Sequence, residues 1–466
     1  MILATALAVP AMAQERTPWM LGGAPAGNSF LGGVPEGSAT VGRLSLTLAD
    51  AVQRGLRQNL GAILGAQTVR AAEAGRDLTR GGLLPDLNGF LYGSRQEIDL
   101  EAYGFPVAPG ESPVVGPFNV TDARIYVAQP ILDLAALERA RAGALGLEAA
   151  KHGYRDAREM VVLTCASLYL DAALGASRIE AARAQDAVAV ALLERAERLK
   201  EAGVVAGIEV LRARVQRAAQ RQRVIFYENE FAKQKLALAR AIGLPLVQDF
   251  DLADKLAYVS APLLSPGAAI DEALRSRPDL RRAEAALGAA ETNRRADRFD
   301  GLPSIRFNAD VGWIGPTGPR LERTFAVGVG IRVPLFEGGR IRANVRLDDA
   351  ALAQIRARRD DLRARIEYDV RAALLDVDAA GERVKVAREA LDLADEQIRQ
   401  VQDRFASGVV GNLEVVQAQD ALATASDNYL SALYAHNVAR LALSRAVGAA
   451  ERSLPTLLDG GGGGTQ

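Results

Sequence analysis

The side chains able to do covalent or metal chemistry are few and far apart. Cys165 is the single cysteine, which excludes an intramolecular disulfide, and nothing beside it has metal-ligand spacing, so it reads as a small buried residue on a helix. His152 and His436 lie among ordinary helix-forming neighbours. Met1, Met12 and Met20 crowd the N-terminus and leave Met160 alone in the body of the chain, so no soft-metal relay is visible. Gly328 and Gly330 sit inside an alternating apolar segment with no helix behind them, and read as small packing residues rather than a dinucleotide loop. No nucleophile elbow or phosphate loop occurs. Lys plus Arg (56) nearly balances Asp plus Glu (57), which removes any general attraction to nucleic acid. The pattern predicts a protein that is not an enzyme, uses no cofactor or metal, and acts through its surfaces.

The surfaces depend on the elements that carry them. Residues 1–13 are apolar from Ile2 onward and end in Ala11-Met12-Ala13, a small-x-small pattern that predicts an export signal, although the usual basic start is missing. Residues 14–43 read as a flexible lead rich in Gly, Pro and Ser, and 451–466 as a Gly-rich tail. No stretch reaches the roughly 18–20 consecutive apolar residues of a spanning helix. A membrane portion would therefore consist of strands.

Between 44 and 450 the chain is written twice. Residues 56–87 match 274–305 at a displacement of 218, and Gln129-Pro130-Ile131-Leu132-Asp133 matches Val333-Pro334-Leu335-Phe336-Glu337 at 204. Gly203-Val204-Val205-Ala206-Gly207-Ile208-Glu209-Val210 matches Gly408-Val409-Val410-Gly411-Asn412-Leu413-Glu414-Val415 at 205, and this persists to Gly243 and Gly448. The fall of 14 places an insertion in the first copy (44–250), in a loop at 101–116, relative to the second copy (251–450).

Each copy has the order helix, strand, strand, very long helix, turn, helix. Residues 50–81 lack proline and read as one helix, whereas Pro278 predicts a kink near Arg277 in the counterpart at 268–300. Strands at about 305–314 and 324–333 alternate without a slip, with Phe307, Val311, Trp313, Phe325, Val327, Val329 and Ile331 on one apolar face. That pattern suits a lipid-facing barrel strand, with Trp313 in an aromatic girdle. The first-copy strands, about 86–96 and 118–129, alternate less cleanly and follow mainly from the repeat. Residues 132–201 and 340–407 run without proline, and each would form a helix on the order of 100 Å long. In both copies the two short helices, laid end to end, match the long one, which predicts a wall of uniform height. Four strands cannot close a barrel, and an open edge in lipid leaves backbone groups unsatisfied, so at least two protomers must pool strands; three would give twelve.

In order and in duplicate, these motifs resemble the outer membrane efflux protein family, the TolC-type export ducts. The resemblance rests on Asn59 to Ala62, Arg277-Pro278-Asp279-Leu280, the strand entries at Pro85 and Pro303, Pro334 to Arg340, and the paired glycine turns. It implies a mainly α fold with a transmembrane β portion: a homotrimer with a twelve-stranded outer-membrane β-barrel on a long periplasmic α-helical barrel. It also implies an outer membrane channel of a tripartite efflux or type I secretion system, docking a periplasmic adaptor and an inner-membrane pump through the tip turns Gly203, Val204, Val205 and Gly408, Val409, Val410. In the family, acidic residues near the second turn line a constriction. The resemblance puts Glu414 there, and repeat symmetry puts Glu209 in the equivalent place. The next acidic position falls on Gln417 and a basic partner on Val410, both departures from the pattern, so the closed-state latch should differ. Glu414 also suits the positive end of the helix that follows the turn, whatever its part in a pore. A periplasmic coiled-coil adaptor is the alternative, but it leaves the two apolar-faced hairpins unexplained.

Overall fold

The computed structural model describes residues 28–38, 42–259, 265–316, 320–407 and 409–453. The expected signal at 1–13, residues 14–27 of the lead, Gly408 and residues 454–466 of the tail lie outside the described residues.

The first copy comprises β1 (Leu44–Leu46), α1 (Leu48–Gln58), α2 (Leu60–Gly81), β2 (Asp86–Asp99), β3 (Val114–Leu132), α3 (Leu134–Glu201) and α4 (Gly207–Ala241). The second comprises β4 (Phe250–Leu252), α5 (Pro266–Ser276), α6 (Pro278–Phe299), β5 (Ser304–Pro316), β6 (Glu322–Arg332), α7 (Arg340–Ala406) and α8 (Asn412–Ala446). β1 and β4 form a small parallel pair that ties the copies together at mid-height.

The long helices stand as columns. α3, of 68 residues, packs along α1 and α2 over one half of its length and α4 over the other, while its other flank meets α6 and α8. α7, of 67 residues, closes the row against α5, α6 and α8. The stacks match in content, each holding helices of 11, 22 and 35 residues.

Alanine and valine on the facing seams allow this close approach. One core gathers Val52, Val161, Cys165, Tyr169, Leu238 and Phe250 around β1 and β4, and another gathers Ala273, Leu280, Ile366, Val370 and Leu443. α3 does hold an 18-residue window apolar enough by composition to cross a membrane, although no run there is uninterrupted. Half of that window is buried inside the protein, as in a core helix. Burial pushes the Cys165 thiol up to about 12, which makes it a packing group and not a nucleophile.

Residues 50–81 are not one helix. The break falls at Asn59, in extended conformation (φ −66°, ψ 134°), whose side chain accepts the Gly61 amide at 2.9 Å and donates to the Phe30 and Ala241 carbonyls at 2.7 and 2.9 Å. The kink expected near Arg277 is a full break of the same geometry, φ −61° and ψ 122°, with Pro278 opening α6. Part of the supposed flexible lead is pinned here as well: Val34 donates to the Gln58 carbonyl at 2.8 Å and Leu60 to that of Gly32 at 2.9 Å. The start of the tail is held too, by Arg158 Nε on Glu451 at 3.0 Å.

The sheet runs β2-β3-β5-β6, antiparallel throughout. Each strand continues one helix of the wall, so strand order repeats the helix order α2-α3-α6-α7. β2 and β3 outrun the expected bounds, and the loop between them shortens to residues 100–113.

Candidate functional site

Two places carry the residues singled out above: the paired turns at one end of the wall and the sheet at the other.

The turns are built by helix termination. α3 ends at Glu201 and is closed by Gly203 (φ 76°), whose amide and that of Val204 return to the Lys200 and Leu199 carbonyls at 2.9 and 2.9 Å. A left-handed residue there satisfies carbonyls that the helix leaves open. The second turn repeats the outer bond, Val409 amide to Arg404 carbonyl, at 2.9 Å. Each turn is plugged from within by a buried valine. Val210 packs with Leu193, Ala196 and Ala213, and Val415 with Ile398 and Ala418. Leu192 of α3 joins the second cluster, Gln216 donates to Asp420 at 3.3 Å, and the Arg195 guanidinium lies 5.0 Å from the Phe405 ring centre. These ties set the two turns side by side. Gly203, Val204 and Val409 are exposed at the extremity, with Val205 and Val410 half-buried behind them.

Neither α4 nor α8 has a side-chain N-cap, and in both the first turn carries a glutamate where the helix dipole favours an anion. The glutamates nonetheless differ. Glu209 accepts from Arg212 Nη1 at 2.8 Å, one turn along α4. Arg212 corresponds to Gln417 in the second copy, and there both Glu414 and Gln417 are exposed. The second turn thus presents a carboxylate without the cation that neutralises the first.

On the sheet, the register sets Ile305 opposite Ile331, Phe307 opposite Val329, Ala309 opposite Val327 and Val311 opposite Phe325. Phe325, Val327, Val329 and Ile331 are open to the surroundings, Trp313 is 48% exposed, and Phe307 and Val311 are half-buried between their neighbours. The opposite face carries a charge cluster that the sequence reading missed. Arg124 on β3 pairs with Asp310 on β5, holds Asp122 at 3.3 Å, and reaches across β5 to donate to Thr324 Oγ1 on β6 at 2.9 Å. Gly312 makes that reach possible. It lies between Arg124 and Thr324 in register, and a Cβ there would stand 2.6 Å from the Ala123 carbonyl and 2.9 Å from Arg124 Cα. Polar residues at alternate positions of β3 were the available signal, but cross-strand partners cannot be read from one strand.

With this geometry established, the comparisons with known proteins are specific. The model of the outer membrane efflux protein family matches residues 62–244 and 269–449, one block in each copy. The toluene efflux pump outer membrane protein TtgF of Pseudomonas putida is 26% identical over 78% of this chain and 75% of its own length. The pyoverdine export outer membrane protein OpmQ of Pseudomonas aeruginosa is 27% identical over 86% of this chain and 85% of its own. The Campylobacter jejuni CmeC outer membrane channel superposes with a TM-score of 0.74 at 17% identity, covering 92% of this chain and 94% of that one, a likeness of fold.

Proposed function

The chain belongs to the outer membrane efflux protein family, and we propose that it forms the outer-membrane duct of a tripartite efflux or type I secretion system, a passive conduit from an inner-membrane pump. One observation carries the assembly: the wall and the sheet end on the same two columns. β2 and α2 with α4 form one edge, β6 and α7 the other. Both helical edges expose apolar side chains, Leu211, Val215 and Phe226 on α4 and Tyr368, Leu375 and Leu393 on α7. An open sheet edge in hydrocarbon costs several kcal/mol per unsatisfied group. Pairing β2 with β6 of a neighbour, and α2 and α4 with its α7, closes sheet and wall in one step, and three copies pool twelve strands. Phe307, Val311, Trp313, Phe325, Val327, Val329 and Ile331 then face lipid, and the Arg124 cluster faces the lumen.

In this reading the turns at Gly203 to Val205 and Gly408 to Val410 receive a periplasmic adaptor, and Glu414 with Gln417 borders the constriction. Glu209, held by Arg212, contributes less. Residues 1–13 are removed on export. Fractionation tests the proposal: a heat-modifiable trimer should sediment with outer membranes. A soluble periplasmic monomer, the behaviour of a coiled-coil adaptor, would overturn it.

A further inference from the structure

Arg440 lies on α8 where residues 253–259, outside any helix or strand, run against the helix through the Ala257 and Val259 carbonyls, and it is 6% exposed. Its Nη1 is sealed from solvent with no hydrogen-bond partner. Burial pulls the guanidinium down from its ordinary value, and Tyr258 is the titratable group that opposes this. Arginine cannot escape by losing its proton. A buried charge in such a position calls for a counter-ion.

Among the described residues none is supplied. Asp254 lines the same cavity, but it makes no ion pair with Arg440, and its carboxylate is turned to the Leu48 amide at 2.7 Å and the Tyr169 hydroxyl at 3.2 Å. Lys255 at the rim adds positive charge and is drawn toward Glu180, 3.7 Å away. Residues 260–264, Ser-Ala-Pro-Leu-Leu, contain no acid. The cavity measures about 550 Å³, and Leu170, Leu256 and Leu441 supply apolar wall beside the arginine. That volume falls in the range of small-molecule sites, far beyond what a bare inorganic anion fills.

We propose that this cavity binds an amphiphilic anion, with its carboxylate or phosphate head on Arg440 and its apolar body against Leu170, Leu256 and Leu441. The site lies where the chain crosses from the first copy to the second, so an occupant would bridge α3, α8 and the crossing segment. Nothing in this depends on the duct reading.

The test uses purified full-length protein in a neutral maltoside detergent, with decanoate, dodecyl phosphate and inorganic phosphate titrated by native mass spectrometry and thermal shift. Decanoate and dodecyl phosphate should bind once per chain and raise Tm, and inorganic phosphate should bind at least tenfold more weakly. Arg440→Met should weaken decanoate binding at least tenfold. Leu256→Glu, which leaves Arg440 in place, should raise Tm without ligand and abolish the decanoate response. Unchanged decanoate binding in Arg440→Met would overturn the proposal, as would inorganic phosphate matching the amphiphiles. So would a wild-type protein that binds none of the three while Arg440→Met loses stability, the result expected if an acid of a second copy already pairs with Arg440.

Discussion

Residues 59 and 277 hold the same place in the two copies, and both interrupt a short helix against the end of another. In the first copy the side chain there is a neutral amide, Asn59, fully buried, donating to the Ala241 carbonyl. In the second it is a cation, Arg277, donating to the equivalent carbonyl of Ala446 at 3.4 Å and to Asp279 at 3.1 and 2.7 Å and Asp369 at 3.2 Å. Each junction rests on a left-handed glycine, Gly243 or Gly448, where a Cβ would strike Gln58 or Arg277. The difference shows that the backbone of the stacked columns demands a donor at this point, while the chemistry of the donor is free to vary. An ion cluster and an amide serve equally in geometry but should not respond equally to perturbation.

The sharpest way to separate them is to delete each donor. Arg277→Ala leaves Asp279 buried without the guanidinium that hydrogen-bonds it, with only the charge of Arg445 acting on it, and should cost about 3–5 kcal/mol. Asn59→Ala strands the Phe30 and Ala241 carbonyls and removes a cap, and should cost about 2–3 kcal/mol. Denaturant unfolding of both variants in detergent measures the order; equal losses would erase the distinction. Acid should separate the junctions further. Burial pushes the Asp279 carboxyl up, but its hydrogen bonds and charge pairing with Arg277 outweigh burial and hold it below the usual carboxylate range. Because the folded value is depressed, the stability it adds is complete above the unfolded value near about 3.9 and is lost as pH falls through the folded one. The gap between wild type and Asp279→Asn should therefore close in that acid window, while the gap between wild type and Asn59→Ala persists.

The sheet offers a smaller contrast between two glycines of the second copy. Gly328 has open space where a Cβ would stand, whereas Gly312 meets backbone at 2.6 Å. Gly312→Ala should cost about 1–3 kcal/mol through displacement of β3 and the Arg124 cluster. Gly328→Ala should stay within about 0.5 kcal/mol. Loss of heat-stable assembly on gels reads both.

Which parts of this were legible in sequence follows from what repeats and what does not. The long helices showed themselves because some 70 residues without proline leave few alternatives, and the second-copy strands because Phe325 to Val333 alternate without a slip. The break at Asn59 was missed because the neighbouring residues are ordinary helix formers; the signal was the asparagine itself, an N-cap residue type preceding a helix. The displacement of 218 that aligns it with Arg277 would have carried the Pro278 break across. β3 was cut short because Gly116-Pro117 and Pro130 carry turn chemistry, so that 114–117 read as loop and 130–132 as the strand's exit, whereas the pairing of Arg124 with Asp310 and Thr324, inside the expected span, exists only after the strands meet. Arg212 was passed over because its counterpart, Gln417, was read from the resemblance alone and not against the first copy.

That counterpart makes the turns the finest test of the comparison. If the glutamates differ only in their neighbour, exchanging the neighbour should exchange their behaviour. Glu414→Ala should lower the cation-over-anion permeability ratio of the duct in planar bilayers by about threefold, the scale of a screened exposed charge. Removing both Glu209 and Arg212 should leave the ratio unchanged, since the two charges of that pair already offset each other. Gln417→Arg would rebuild the first turn's pair at the second and should reproduce the Glu414→Ala effect without removing the carboxylate. Arg212→Gln should move the ratio the other way, toward cations, provided the first turn also reaches the conduction path. A Gln417→Arg duct that keeps its cation preference would show that position along the axis, and not the missing arginine, distinguishes the two turns.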